Sequence, residues 1–152
     1  MTNQITIQRT TSDHNDFKEL AKALEQELRI RDGDDHLFYA DLNKIDSLPN
    51  AIIAYSDGLP VGCGALRIYD QSSVEFKRMY VDPSNRRQSI ATLILAELEK
   101  WSIELGYTKC LLETGLNQPE AIELYKKNYY SVIPNFGKYT VSKNSICFEK
   151  NL

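Results

Sequence analysis

"VEFKRMYVDPSNRRQSIATLILAELEKWSIELGY" (Val74–Tyr107) is the stretch on which the fold turns. Its first part is rich in β-branched and aromatic residues and is stopped by Pro83, so it reads as a strand. From Arg87 or Gln88 to Leu105 the period changes. Ile90, Ile94, Leu98, Trp101 and Leu105 recur at three- and four-residue steps, one face of a helix that Gly106 ends. "TKCLLET" (Thr108–Thr114) follows as a short apolar strand. A strand, a long helix and a strand at this spacing predict a right-handed crossover between neighbouring parallel strands.

Upstream, "ITIQR" (Ile5–Arg9) alternates apolar and polar side chains as a half-buried strand does. Phe17, Leu20, Ala21, Leu24 and Leu28 then share one face of a helix for which Ser12 or Asp13 would serve as cap, and "RDGDDH" breaks it. A second, shorter helix is expected within 37–48. "NAIIAYSDGLPVGCGALRIYD" (Asn50–Asp70) reads as a hairpin turning at Asp57-Gly58. Downstream, "NQPEAIELYKKNYY" opens with Asn117 three residues before Glu120, as a capping box does, and with an early proline. Asn128 is expected to close that helix in a left-handed conformation. "SVIPNFGKYT" and "SICFEK" complete the pattern as strand, loop and strand. Residues 1–152 thus read as one α+β domain, without repeats or linkers.

The composition excludes several classes. Of 152 residues, 42% are hydrophobic and 26% charged, a globular composition with enough chain for a core. The net charge of -3, with Lys and Arg dispersed, argues against nucleic acid as a partner. The first residues lack the apolar core of a signal peptide, and no run approaches the ~20 apolar residues of a membrane span. The expected location is therefore the cytoplasm. Cys63, Cys110 and Cys147 lie far apart in strand-like runs and read as small buried hydrophobes in a reducing compartment. With only His14 and His36 as histidines, no metal site is expected.

The turn "RRQSIA" and the stretch "AIELYKKNYY" together resemble the GNAT superfamily of acetyl-CoA-dependent N-acetyltransferases, notably its small bacterial members. In that family a strand leads into a turn of the form Arg/Gln-x-x-Gly-x-Gly/Ala and a long helix; here the turn falls on Arg86, Ser89 and Ala91. An Ala-x-x-Leu-Tyr-x-x-x-Gly-Phe/Tyr stretch comes later. The resemblance covers nearly the whole chain. It implies a twisted mixed sheet of six to seven strands flanked by about four helices, acetyl-CoA as co-substrate without a metal, and a homodimer as the expected assembly.

The chemistry of the turn agrees. Unpaired N–H groups and the positive dipole end of a helix suit a pyrophosphate. Arg87, Gln88, Ser89, Ile90, Ala91 and Thr92 would supply those donors, and Arg86 and Arg87 charge. Ser89 puts a Cβ where glycine would let backbone approach phosphate, and its hydroxyl would offset part of the crowding. A bulge in the family's strand frees backbone groups of Met79, Tyr80 and Val81 for the pantetheine arm, with the Met79 N–H as oxyanion donor.

Attack on the thioester needs a free amine, donors for the developing oxyanion and a proton for the departing thiolate. The resemblance implies Glu75 as general base, on one face with Met79 and Val81 if the strand is regular. The plainer role for Glu75 is a surface carboxylate paired with Lys77 or Arg67. Glu113 is the reserve. Tyr125, in the Leu-Tyr pair, matches the family's acid, or is one more aromatic on a core face. Asn117 would contact pantetheine or cap its helix. For the acceptor, a small amine, amino acid or peptide, the candidates are His36 in its acidic run, Glu113, and Phe136 with Tyr139, which would wall a pocket or pack on Tyr129 and Tyr130. A competing reading is a GNAT-fold module that binds acyl-CoA or a protein and has weak catalysis, supported by the missing glycines.

Overall fold

A computed structural model of the chain describes residues 4–33 and 47–152. The strand Ile5–Thr10 (β1) is followed by the helix Asn15–Asp32 (α1), the strands Asn50–Ser56 (β2), Leu59–Ile68 (β3) and Ser73–Val81 (β4), and the helix Ile90–Glu104 (α2). Lys109–Gly115 (β5), Pro119–Lys127 (α3), Ser131–Ile133 (β6) and Ser145–Asn151 (β7) complete the order. The predicted second helix falls largely outside the described residues, which hold three α-helices. No helix among the described residues is long and apolar enough to cross a membrane.

The seven strands form one sheet in the order β1-β2-β3-β4-β5-β7-β6. β1 to β4 run antiparallel, with Asp57 (φ 50°) and Gly58 (φ 84°) turning the predicted hairpin through two left-handed residues. β4 and β5 pair in parallel through the α2 crossover, as the periodicity predicts. β2 explains its own unbroken apolar run: Ala51 and Ile53 face α1 with Phe17, Leu20, Leu24 and Leu28, while Ile52 and Ala54 face α2 with Ile90, Ile94 and Leu98. A strand covered on both faces has no polar side to show. The three cysteines are free and fully buried in these layers.

Two distortions shape the centre. β4 carries an extra residue: Cys63 faces Tyr80 and Ala65 faces Lys77, so Gly64 stands opposite both Arg78 and Met79. Arg78 takes φ 58°, the left-handed conformation of a bulge. β4 and β5 also stay paired only from Ser73–Lys109 to Phe76–Leu112, and beyond that register they part.

The helix ends differ from expectation. His14, rather than Ser12 or Asp13, caps α1, its Nδ1 accepting from the Asp16 N–H at 3.1 Å. Ser12 is spent elsewhere, its hydroxyl accepting from the Leu48 N–H. Gln118, not Asn117, precedes α3. At the other end Asn128 has φ -95° and closes the helix with its side chain, donating to the Leu124 carbonyl at 2.8 Å. The left-handed residue is Tyr129, at φ 71°.

Candidate active site

Where β4 and β5 part, a cavity of about 80 Å³ opens. Phe76, Lys77, Arg78 and Met79 line it from β4, Glu113 to Gly115 from β5, and Gln118, Ala121 and Tyr125 from the region of α3. Leu24, Leu28 and Asp32 of α1 and Tyr139 of the 3-10 turn Gly137–Val141 complete the wall. The site thus brings together Met79, Glu113, Tyr125 and Tyr139 from the sequence-based candidates. Gly64 keeps the bulge compact, since a Cβ there would meet the Met79 Sδ at 2.7 Å and Ile94 Cγ2 at 2.9 Å.

Glu75 sits differently from the expectation. The bulge shifts the alternation, so Val74, Phe76, Met79 and Val81 share the α2 side and Glu75 points the other way. It is 1% exposed, so it is not a surface carboxylate. It does pair with both predicted partners, Arg67 Nη2 at 2.9 Å and Lys77 Nζ at 3.7 Å. It also accepts a hydrogen bond from the Tyr139 hydroxyl at 2.8 Å, and that hydroxyl accepts one from Lys77 Nζ at 2.8 Å. Glu75 therefore fixes Tyr139 and Lys77 at the cavity wall. Burial lowers the Lys77 pKa against the opposing pull of Glu75, and burial followed by the charge of Glu75 raises that of Tyr139.

Glu113 lines the cavity from β5. Burial, its largest perturbation, lifts its pKa to about 7, opposed by the Ser145 hydroxyl bonded to it and by Lys77, and assisted by Glu75 and Asp32. Tyr125 is the buried residue of α3, its ring edge-on to Tyr130 and tilted against Phe148 at 5.7 Å. It is thus the core aromatic of the plainer expectation, and it also lines the cavity. Burial, then the charge of Glu113, raises its pKa.

The turn before α2 holds the conformation that glycine would supply. α2 begins at Ile90, and Ser89 precedes it at φ 63°, ψ 16° without a side-chain cap. Arg87 is left-handed as well, at φ 64°. The helix start leaves the N–H groups of Ile90, Ala91 and Thr92 without intrahelical acceptors. Arg86 departs from its expected role: its Nη2 reaches Glu27 of α1 at 2.8 Å and 3.0 Å, and its Nε donates to the Val81 carbonyl at 2.8 Å. It braces the turn, stacked over the Tyr80 ring, while Arg87 and Gln88 stand exposed.

Asn117 and Phe136 do not line the cavity. Asn117 is exposed and contacts the end of α1, donating to the Arg31 carbonyl at 3.5 Å; its neighbour Gln118 lines the cavity instead. Phe136 packs between Tyr69 and Tyr139, with centroids at 5.2 Å and 5.3 Å, rather than on Tyr129 or Tyr130. His36 lies outside the described residues. Sequence reasoning gave no site role to Lys77 or Ser145. Lys77 carries the signal of a cation two residues from Glu75 on one strand; Ser145, 32 residues from Glu113, carries none. Among the described residues no His, Cys, Asp and Glu cluster could hold a metal.

Known proteins resemble this chain in sequence and fold. An IAA acetyltransferase from Azospirillum brasilense is 35% identical over 102 residues, 66% of this chain and 67% of that protein. The crystal structure of a Klebsiella pneumoniae protein assigned as an acyl-CoA N-acyltransferase superposes with a TM-score of 0.81 at 31% identity, covering 98% of both chains. An Elizabethkingia anophelis GNAT family acetyltransferase with acetyl-CoA bound shares the fold, with a TM-score of 0.68 at 18% identity over 97% of this chain and 98% of that one. The model of the acetyltransferase (GNAT) family matches residues 15–129, from the first helix through the parted strands to the end of α3. By that match and by its bulged, splayed sheet, the chain belongs to the acetyltransferase (GNAT) family.

Proposed function

We propose that this acetyl-CoA-dependent N-acetyltransferase moves the acetyl group directly to a primary amine in a ternary complex, with Glu113 as general base and Tyr125 as proton donor. The observation that carries the reading is Glu113 at the wall of the cavity with its pKa at about 7. A base poised there takes a proton from an ammonium group at neutral pH far better than a carboxylate of ordinary pKa. Glu75, locked by Arg67, Lys77 and Tyr139, serves as the brace of that wall.

Acetyl-CoA is the co-substrate. Its pyrophosphate would rest on the N–H groups opening α2, with Arg87 adding charge, and its pantetheine arm would run along the unpaired edge of β4 beyond Phe76. The Met79 N–H at the bulge would meet the developing oxyanion. The neutral amine attacks the thioester carbon, a C–N bond forms and the C–S bond breaks, and the proton that nitrogen sheds in becoming an amide goes to the departing thiolate, giving amide and free thiol. Tyr125, whose raised pKa keeps it protonated, donates a hydrogen bond to the departing sulfur. The left-handed backbone at Arg87 and Ser89 supports a working cradle over the acyl-CoA-binding module with weak catalysis. The acceptor class remains a small amine, amino acid or peptide.

The test is thiol release with a panel of primary amines. Glu113 must be ionised to act, so its ionisation makes the rate fall as pH drops through about 7. Glu113→Gln should remove that limb and cost about 10²- to 10⁴-fold in kcat. Tyr125→Phe should cost about 10- to 100-fold, the worth of one hydrogen bond to a charged group. A Glu113→Gln protein within a few-fold of the natural rate across that range would reject the assignment.

A further inference from the structure

A proton donor must aim its hydroxyl at one atom, yet the Tyr125 hydroxyl makes no hydrogen bond among the described residues. Its direction is therefore set by the packing of its ring. Tyr130 stands edge-on to that ring and Phe148 is tilted against it, each with centroids 5.7 Å away. Phe148 offers apolar contact alone. Tyr130 also carries a hydroxyl, and the fold holds that hydroxyl in place.

The way α3 ends brings the two tyrosines together. Tyr129 turns left-handed at φ 71°, and its N–H returns to the Lys126 carbonyl at 3.1 Å. The Tyr130 N–H returns to the Tyr125 carbonyl at 3.0 Å. This pair of bonds is a Schellman close, in which the second residue past the cap packs on the third residue from the helix end. At its other end Tyr130, 4% exposed, donates from its hydroxyl to Glu99 Oε2 of α2 at 2.7 Å. The Cys110 thiol of β5 lies 3.5 Å from the same phenolic oxygen. Lys150 Nζ of β7 donates to Glu99 Oε1 at 3.0 Å and stands 5.4 Å from the centre of the Tyr130 ring. Glu99, Cys110, Tyr130 and Lys150 all stand outside the cavity lining.

We propose that Tyr130 is a positioning residue for acetyl transfer: its bond to Glu99 fixes the ring on which Tyr125 rests, and so keeps the Tyr125 hydroxyl on the departing sulfur. The inference rests on Tyr125 being the proton donor. Two rings in apolar contact can slide along one another, whereas a hydrogen bond to a carboxylate is short, strong and directional. The bond thus turns a packing neighbour into a fixed reference, anchored to α2, β5 and β7 together. A misplacement of about 1 Å at a reacting group can cost about 10²-fold in rate, so a modest slip of the ring is enough to be measured.

The experiment is thiol release from acetyl-CoA with phenethylamine as the amine probe. Tyr130→Phe keeps the ring and removes the anchor. It should lower kcat about 3- to 10-fold and leave KM for acetyl-CoA within about two-fold of the natural value. Glu99→Ala should reproduce that loss, and Glu99→Gln, which keeps an acceptor for the hydroxyl, should recover most of it; these two variants test the same bond if Tyr130→Phe folds poorly. The decisive comparison is made in Tyr125→Phe. With no hydroxyl left to aim, adding Tyr130→Phe should cost kcat nothing further. A Tyr130→Phe protein as fast as the natural one overturns the positioning role. So does an equal loss with and without the Tyr125 hydroxyl, which is the result of a generally loosened core. Tyr125→Phe alone separates the two ideas. Full activity there removes the proton donor and its anchor with it, whereas a slowed Tyr125→Phe beside a fully active Tyr130→Phe removes only the anchor.

Discussion

Ser89 holds a backbone conformation that L-residues avoid, at φ 63°, and its hydroxyl makes no cap that would compensate. Replacing it by glycine relieves roughly 1–2 kcal/mol of left-handed strain. The same change gives the unfolded chain more freedom, which returns about 0.4–1 kcal/mol. The net is a gain of about 0.5–1 kcal/mol, equivalent to a rise in Tm of about 1–4 °C for a chain of this length. Ser89→Ala is the control: it keeps the Cβ and removes the hydroxyl, and should stay within about 0.5 kcal/mol of the natural protein. Urea unfolding and calorimetry of all three proteins measure both differences, and titration with acetyl-CoA should show binding unchanged or tightened in Ser89→Gly. A glycine variant that melts at or below the natural protein, with an alanine variant that loses more than about 1 kcal/mol, would refute the reasoning, because the hydroxyl would then be capping α2.

Gly64→Ala forces a Cβ against Met79 and Ile94 and should cost about 1–3 kcal/mol by overpacking, read as a drop in Tm. Glu75→Gln leaves Lys77, whose side chain is 7% exposed, short of its carboxylate partner; a loss of about 3 kcal/mol in urea unfolding is expected, and less than 1 would mean that water replaces the pair. Arg86→Ala should lower stability by about 1 kcal/mol through the lost Glu27 contact. Arg87→Ala should leave Tm unchanged but weaken acetyl-CoA binding and flatten its dependence on salt, and unchanged binding would exclude Arg87 as a phosphate contact.

Much of this architecture was legible because periodicity reports burial. The α1 stripe, the Asp57-Gly58 hairpin and the α2 crossover each rest on a local pattern, and each is found. The bulge was not legible in the residues themselves, because Arg78 bears no mark of its left-handed backbone, and with the bulge went the parity that put Glu75 beside Met79. Asn128 and Tyr129 teach a similar lesson: the residue type suited to the cap lies one position before the residue that the backbone bends. The site's electrostatics were still further from view. Tyr139 meets Glu75 across 64 residues and Ser145 meets Glu113 across 32, distances at which no sequence pattern speaks. The choice between the two glutamates depended on those encounters.

The parting of β4 and β5 has a mechanical meaning. Four register pairs, Ser73–Lys109 to Phe76–Leu112, join a four-stranded leaf to a three-stranded one, like two pages bound for only part of their spine. Amides along the open margin are expected to exchange faster than those of the four joined pairs, which hydrogen–deuterium exchange would measure. A long, hydrogen-bonding cofactor arm placed there would serve as a temporary eighth strand, so the molecule consumed in the reaction would also be the stitching that closes the sheet.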